Sequence, residues 1–351
     1  MKYNEIKFIH KKQNKILRKN RKRQKKIYNK NGIKIKRTVN IPVPNIFYMP
    51  TNLTIKSNLE GVLRILNRIR KNKRFGRFKG RKYINISYKN VVEVDYGALS
   101  LMKSVMDSFG LKHIFIHGDL PENNDVKKIF LSSGFLNNLF DGKGNKFGKI
   151  SNTDSDMFIF KYGKGELTIN DNRLLSEKIK MANKHLTGNY KPFSPLKTIL
   201  LEICGNSIEH GKTNDRLWFL GLEFKDNEVI FTFTDLGVGI LKSLYIKFFQ
   251  QIKDIFSSRH TVLLNAFNKK YGSSTKEVNR NKGLPGIKSY NEKGLINNLI
   301  VITNDAFLDF DEINNCKSFQ NDVQFEGTFF QWTLDINCIN NISKLEDEFE
   351  D

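Results

Sequence analysis

The sequence predicts a mixed α/β protein in which a smaller α/β unit is followed by a larger α/β sandwich. Three observations carry this. Between residues 45 and 145, short strand-type apolar runs alternate with helix-type periodicity. Between 165 and 338, long alternating runs imply a mixed, mostly antiparallel sheet with helices on one face. A chain of 351 residues, 39% of them hydrophobic, has room for two ordinary domains and a sizeable core.

Residues 1–44 read as a basic arm. Residues 1–40 hold 16 Lys and Arg against Glu5 alone, and residues 56–89 hold 12 against Glu60. These two stretches account for the net charge of +23, because residues 90–351 come to −3. The run from Lys19 to Lys26 repels itself too strongly to pack, so it suits disorder or a helix formed on a phosphate backbone. No run approaches the ~18 apolar residues that a membrane-spanning helix needs, and the N-terminal charges are not followed by an apolar leader segment. Cys204, Cys316 and Cys338 lack metal-ligand spacing, so a cytoplasmic protein without disulfides or a membrane partner is expected.

In the smaller unit, residues 41–50 read as an extended entry. Glu60 to Arg70 places Val62, Leu63, Leu66 and Ile69 on one helical face. Tyr83 to Ser87 alternates like a strand. Val91 to Val94 leads into Asp95-Tyr96-Gly97, and a helix follows through Ala98, Leu101, Met102, Val105, Met106 and Phe109. His113 to His117 is another strand, and Val126 to Ser133 a helix stopped at Gly134. The order of strand, Val-Asp-Tyr-Gly turn, helix, Ile-Phe-Ile-His strand and Lys-Lys-Ile-Phe-Leu-Ser-Ser-Gly-Phe helix resembles a STAS domain, the fold of anti-sigma-factor antagonists, over about 45–145. Phosphorylatable members carry Ser or Thr in the turn after the Asp. Tyr96 and Gly97 stand there, and Ser100 is already in the helix. The resemblance therefore implies an interaction module.

Phe140 to Gly165 is rich in Gly, Asn, Lys and Asp and reads as the connection between the units. Leu174 to His185 is a helix ended by Thr187-Gly188-Asn189. Ser194-Pro195 starts the next one, with apolar Leu196, Ile199, Leu200, Ile203 and Ile208 on one face and Glu202, Asn206 and His210 on another. Arg216–Phe224 and Glu228–Thr234 form a hairpin. Its second strand runs into Asp235-Leu236-Gly237-Val238-Gly239-Ile240. Leu241 to Lys270 is mostly helical. Leu299–Thr303 and Thr328–Leu334 are two further strands, and 339–351 is an acidic, frayed tail.

A lone Asp-x-Gly-x-Gly is a turn after a strand, and a lone Glu-x-x-x-Asn is a solvated helix face. The chemistry lies in their joint occurrence. Leu201 to His210 resembles the N box of the GHKL superfamily, which joins DNA gyrase, heat-shock chaperones, mismatch-repair proteins and histidine kinases. Asp235 to Ile240 resembles its first glycine box, Asn281-Lys282-Gly283-Leu284-Pro285-Gly286 a looser second one, and Gly327-Thr328 its late Gly-Thr strand. The resemblance implies a pocket for ATP and Mg²⁺, with Asn206 holding the ion, Glu202 as base and Asp235 accepting from the adenine amino group. Gly237 and Gly239 would let backbone approach the nucleotide. Lys276, Arg280 and Lys282 would close over the phosphates, Lys282, Gly283, Leu284 and Gly286 would bind the nucleotide as the second box, and Thr328 would close the pocket.

The expected function is a Mg-ATP-binding regulatory protein, a slow ATPase whose nucleotide state switches contacts with a protein partner. A homodimer and nucleic acid bound through residues 1–89 are further expected associations. Two alternatives remain: a protein kinase of the histidine-kinase or anti-sigma type, and a nucleic-acid-binding protein with a degenerate pocket.

Overall fold

The computed structural model describes residues 46–78, 80–137, 139–147, 158–165, 167–193, 196–203, 217–248, 258–268, 283–321 and 323–350. All of them belong to one compact unit, Val43–Asp351; the other unit, Met1–Pro42, holds most of the basic arm and lies outside the described residues.

The first part of the chain runs β1 (Ile46–Tyr48), β2 (Asn52–Leu53), α1 (Ile55–Arg70), β3 (Gly76–Phe78), β4 (Arg81–Ser87), β5 (Glu93–Val94), α2 (Tyr96–Leu111), β6 (Ile114–Gly118), α3 (Asn124–Ser132) and β7 (Phe140–Asp141). A parallel sheet forms in the order β1-β4-β6-β7, with β3 added antiparallel on β4. Helix α1 starts five residues before the expected Glu60. Thr54 caps it, but Asn58 breaks the helical dihedrals at φ −142° and ψ 40°, so regular periodicity resumes only at Leu59. Asp95 joins the two helices at their starts, because its carboxylate accepts from Ala98 N and from Ile55 N, both at 2.7 Å.

The second part runs β8 (Phe158–Lys164), α4 (Ile169–Thr187), α5 (196–203), β9 (Leu217–Lys225), β10 (Glu228–Asp235), α6 (Ile240–Phe248), α7 (Arg259–Phe267), α8 (Gly283–Glu292), β11 (Asn297–Asn304), β12 (Ala306–Asp309), a 3-10 turn (Ile313–Asn315), β13 (Lys317–Ser318), β14 (Phe325–Asp335) and α9 (Ile336–Glu350). The sheet order is β13-β12-β11-β14-β10-β9-β8, and every neighbouring pair is antiparallel. Strand β8 lies inside the stretch expected to be only a connection. The 339–351 segment is helix rather than frayed tail through Glu350, because Cys338, Ile339 and Ile342 fall on one face and are buried in the core.

Alternation along the strands divides the sheet. Leu220, Leu222, Phe231, Phe233, Phe330 and Trp332 share a core with α4, α5, α7, α8 and α9. Ile300, Ile302, Phe307, Phe325 and Phe329 share the other core with α1 and α2. The expectation of helices on one face therefore holds only for the helices of residues 165–338. The opposite face is not open to solvent but is covered by helices from the first part.

Helix α2 is the shared element, with every residue from Tyr96 to Met106 buried. It packs on β6 of the first sheet and on β9 and β10 of the second. Close approach to the second sheet depends on two glycines. A Cβ at Gly97 would lie 2.1 Å from Gln331 Oε1, and one at Gly221 would lie 2.6 Å from the Tyr96 hydroxyl. Ser100 and Thr232 hydroxyls meet there at 2.5 Å. Among the described residues, no helix is long and apolar enough to cross a membrane, and Cys316 and Cys338 are free thiols.

Candidate functional site

Strand β10 ends in Asp235, which stands opposite Trp218 of β9 and Thr328 of β14. Its side chain is 5% exposed, and Oδ1 accepts from Gly237 N at 2.8 Å. The main chain crowds this carboxylate. Gly327 has φ +131°, and a Cβ on it would lie 2.1 Å from the Asp235 carbonyl oxygen. No L side chain fits that position.

The turn that follows is held from the end of β11. Thr303 Oγ1 accepts from Ile240 N and donates to the Gly327 carbonyl, each at 2.9 Å. Asn304 Nδ2 donates to Val238 O at 2.9 Å, and its Oδ1 accepts from Lys242 N at 3.2 Å. Gly239, at φ +83°, passes so close to Asn304 that a Cβ would lie 2.5 Å from Oδ1. Amides in the first turn of α6 are thus capped by side chains of β11, some sixty residues later, rather than by a side chain just before the helix. Thr328 is buried beside Thr303, their hydroxyls 3.5 Å apart.

Arg70, at the end of α1, reaches this end of the sheet. Its guanidinium donates to the Glu326 carbonyl, lies 3.8 Å from the Glu326 carboxylate and sits 5.6 Å above the Phe325 ring. Burial lowers the Arg70 pKa, while the charges of Glu326 and then Asp235 oppose that shift. The carboxylate at the end of β10 is therefore electrostatically coupled to the first part of the chain.

Glu202 lies on α5 and meets Tyr290 of α8. Burial, followed by the Glu202 charge and the hydrogen bond donated to it, pushes the Tyr290 phenol up to about 12. Gly283, Leu284 and Gly286 form the first turn of α8. Pro285 fits there because the N–H it lacks would have no helical partner. Leu284 packs with Ile287 into the core shared with Ile203 of α5.

The structure thus brings Asp235, Gly237, Gly239 and Thr328 into one group. It places Glu202 in a second group with α8, the helix that Gly283, Leu284 and Gly286 open. Asn206 and Lys282, like His210, Lys276 and Arg280, lie outside the described residues. Among the described residues, no three His, Cys, Asp or Glu side chains gather where they could hold a metal ion. Thr303, Asn304, Tyr290 and Arg70 escape a sequence reading. The first two look like ordinary strand residues, Tyr290 has no motif, and Arg70 is one cation in a basic run. The Thr-Asn pair ending an apolar strand was the one available signal. No protein-family model matches this chain, and no curated protein matches it.

Chemically, the first group offers a buried carboxylate whose position is fixed by a main-chain amide. Such an acceptor suits an exocyclic amine. The second group offers a carboxylate that accepts from a phenol in the last turn of α8, while the N-terminus at the other end of that helix favours anions.

Proposed function

We propose that this chain is a regulatory Mg-ATP-binding protein of the GHKL type, with a STAS-like interaction unit in its first part and slow ATPase activity. The observation that carries the reading is the Asp235 carboxylate: buried at the end of a central antiparallel strand, fixed by Gly237 N, and enclosed by the glycine turn and Gly327-Thr328. Antiparallel strands backed by α4, α5 and α8 on one face also agree with it.

In this reading Asp235 accepts from the adenine amino group, and Thr328 closes the site beside it. Gly237 and Gly239 keep side chains out of the nucleotide's path. The N-terminal turn of α8, with Lys282 just before it, borders the phosphates. Asn206 supplies an amide oxygen to Mg²⁺, an ion that prefers oxygen ligands. Bound ATP supplies the γ-phosphoryl group. Glu202, held by Tyr290, orients the attacking water and takes its proton. Arg70 gives the first part of the chain a charge that senses the Asp235 end of the site.

Calorimetry tests this directly. Wild type should bind Mg-ATP and Asp235→Asn should not, while Glu202→Ala should bind but release little phosphate. Absence of binding by the wild type would reject the reading. Labelled ATP separates ATPase from kinase, since stable label on protein would favour the kinase. Ser100 is an unsuitable internal acceptor because it is 4% exposed and bonded to Thr232.

A further inference from the structure

Helices α1 and α2 cover the second sheet unequally. Where α1 packs on β14, the covered surface is apolar: Ile300, Ile302, Phe325 and Phe329 join the α1–α2 core. Where α2 packs on β9 and β10, the surface is polar. Glu223, Thr232 and Thr234 alternate with residues of the opposite core, and Gln331 stands opposite Thr232 on β14. Ser100 meets Thr232, but Glu223 Oε2, Thr234 Oγ1 and Gln331 Oε1 are buried without a hydrogen-bond partner among the described residues. Each such atom weakens the closed contact and regains a partner when water enters.

The contact is also open at one end. A cleft of about 270 Å³ is lined by Met106, Asp107, Gly110 and Leu111 at the end of α2 and by the exposed Tyr162 of β8. At the other end, where α2 begins, two carboxylates and one ammonium act on Glu223. Burial raises its carboxyl to about 7; Lys225 on β9 opposes the rise, and Asp95 at the α2 cap and Glu228 on β10 add to it. Burial raises Asp95 as well. The buried Tyr96 phenol faces Glu223 from α2. β8 sets Phe158 beside Glu223 in register, and His185 of α4, on the sheet's other face, reaches the Lys225 carbonyl.

We propose that the contact of α2 with β9 and β10 is a proton-operated latch. With Glu223 protonated the contact is closed. With Glu223 ionised, α2 lifts from β9 and β10, and the apolar contact under α1 serves as the hinge. Few groups lose a partner in the open state. Ser104 and Ser108 stay bonded to the Leu101 and Val105 carbonyls. Thr232, Thr234 and Gln331 take water. Asp95 accepts from both Ile55 N and Ala98 N, so the starts of α1 and α2 remain joined as α2 moves. Lifting widens the existing cleft, and the junction of the first part with the second sheet thereby responds to proton concentration near neutrality. The inference does not rest on the ATP reading.

Thiol labelling tests this on the full chain. Ser100→Cys puts a small thiol in the closed contact, and the native Cys338, buried in the other core, reports opening of the whole molecule. Peptide mass spectrometry follows both thiols one pH unit below and one above the Glu223 value of about 7, a span over which the ionised fraction rises about tenfold. Taking the ratio of the two rates cancels the titration of the thiols themselves, since both react from open, solvated states. The ratio of labelling at position 100 to that at Cys338 should rise about tenfold with Glu223 present and stay level when Glu223→Gln is added. Thr232→Cys repeats the measurement from the sheet side if Ser100→Cys does not fold. The proposal is overturned if the ratio is independent of pH with Glu223 present, as it would be if Glu223 affected global stability alone, or if it rises equally in the Glu223→Gln background.

Discussion

Replacing Glu223 with Gln should stabilise this protein at alkaline pH and have little effect at acid pH. Glu223 lies on β9, on the face covered by α2, and its side chain is 14% exposed. Burial pushes its carboxyl up from 4.5 to about 7. Lys225 opposes the shift, and Asp95 and Glu228 add to it. The Lys225 ammonium is 3.8 Å from Oε2, too far to donate a hydrogen bond, and among the described residues no other group donates to that oxygen. A carboxyl with a raised folded value binds its proton more tightly in the folded chain than in the unfolded one. Its contribution is therefore complete below the unfolded value near 4.5 and is lost as pH rises through about 7. The gap corresponds to about 3 kcal/mol at most. Gln keeps the shape and removes the charge. Urea unfolding of both proteins at pH values on either side of this window isolates the residue. Glu223→Gln should be more stable by about 2–3 kcal/mol on the alkaline side and nearly equal on the acid side. A pH-independent difference, or a less stable variant at alkaline pH, would refute the argument.

Three further outcomes follow from the packing. Ser100→Ala should cost about 1 kcal/mol, and the double variant with Thr232→Val less than the sum of the two singles, as measured by a denaturation cycle; strict additivity would mean that the buried hydroxyl pair is not an interaction. Gly327→Ala should cost about 3 kcal/mol, because it combines a dihedral that side chains avoid with a main-chain clash at Asp235; an unchanged melting temperature would contradict that geometry. Arg70→Met keeps the apolar stem on Phe325 but removes the donor to the Glu326 carbonyl. It should lose about 1.5–3 kcal/mol in urea, and full retention of stability would show that the contact is not held in solution.

Much of the layout was legible because periodicity and turn residues agree. The hairpin of β9 and β10 follows from its alternating runs around Asp226-Asn227, and Gly188 closes α4 in the left-handed region at φ +77°. What was missed has local causes. The start of α1 was hidden by the break at Asn58. Strand β8, Phe-Ile-Phe-Lys-Tyr-Gly-Lys, was hidden by the long polar, glycine-containing run before it, which reads as loop. In α9 the acidic residues masked an apolar stripe of only Cys338, Ile339 and Ile342. At the candidate site, Asp235, Gly237 and Gly239 stand out in the sequence only through their joint occurrence with the motifs before and after them, because a lone Asp-x-Gly-x-Gly is an ordinary turn after a strand. Thr303 and Asn304 act through contacts across the sheet, and no spacing along the chain encodes those.

The covering of the second sheet by α2 was hidden for another reason. Ser100, Ser104 and Ser108 make the helix look solvated on that side, although all three are buried. The same polarity matters during synthesis. Helix α2 leaves the ribosome before β9, β10 and β14 exist, so one of its sides must stay in water until they arrive. Ser104 and Ser108 bond back to the Leu101 and Val105 carbonyls within their own helix, so they are satisfied throughout that wait. An all-leucine stripe would not fit the close approach of helix and sheet at Gly221, and the nascent chain would carry it as a sticky surface. Small hydroxyls suit this side twice over, because they satisfy themselves within the helix and leave room for the sheet to approach.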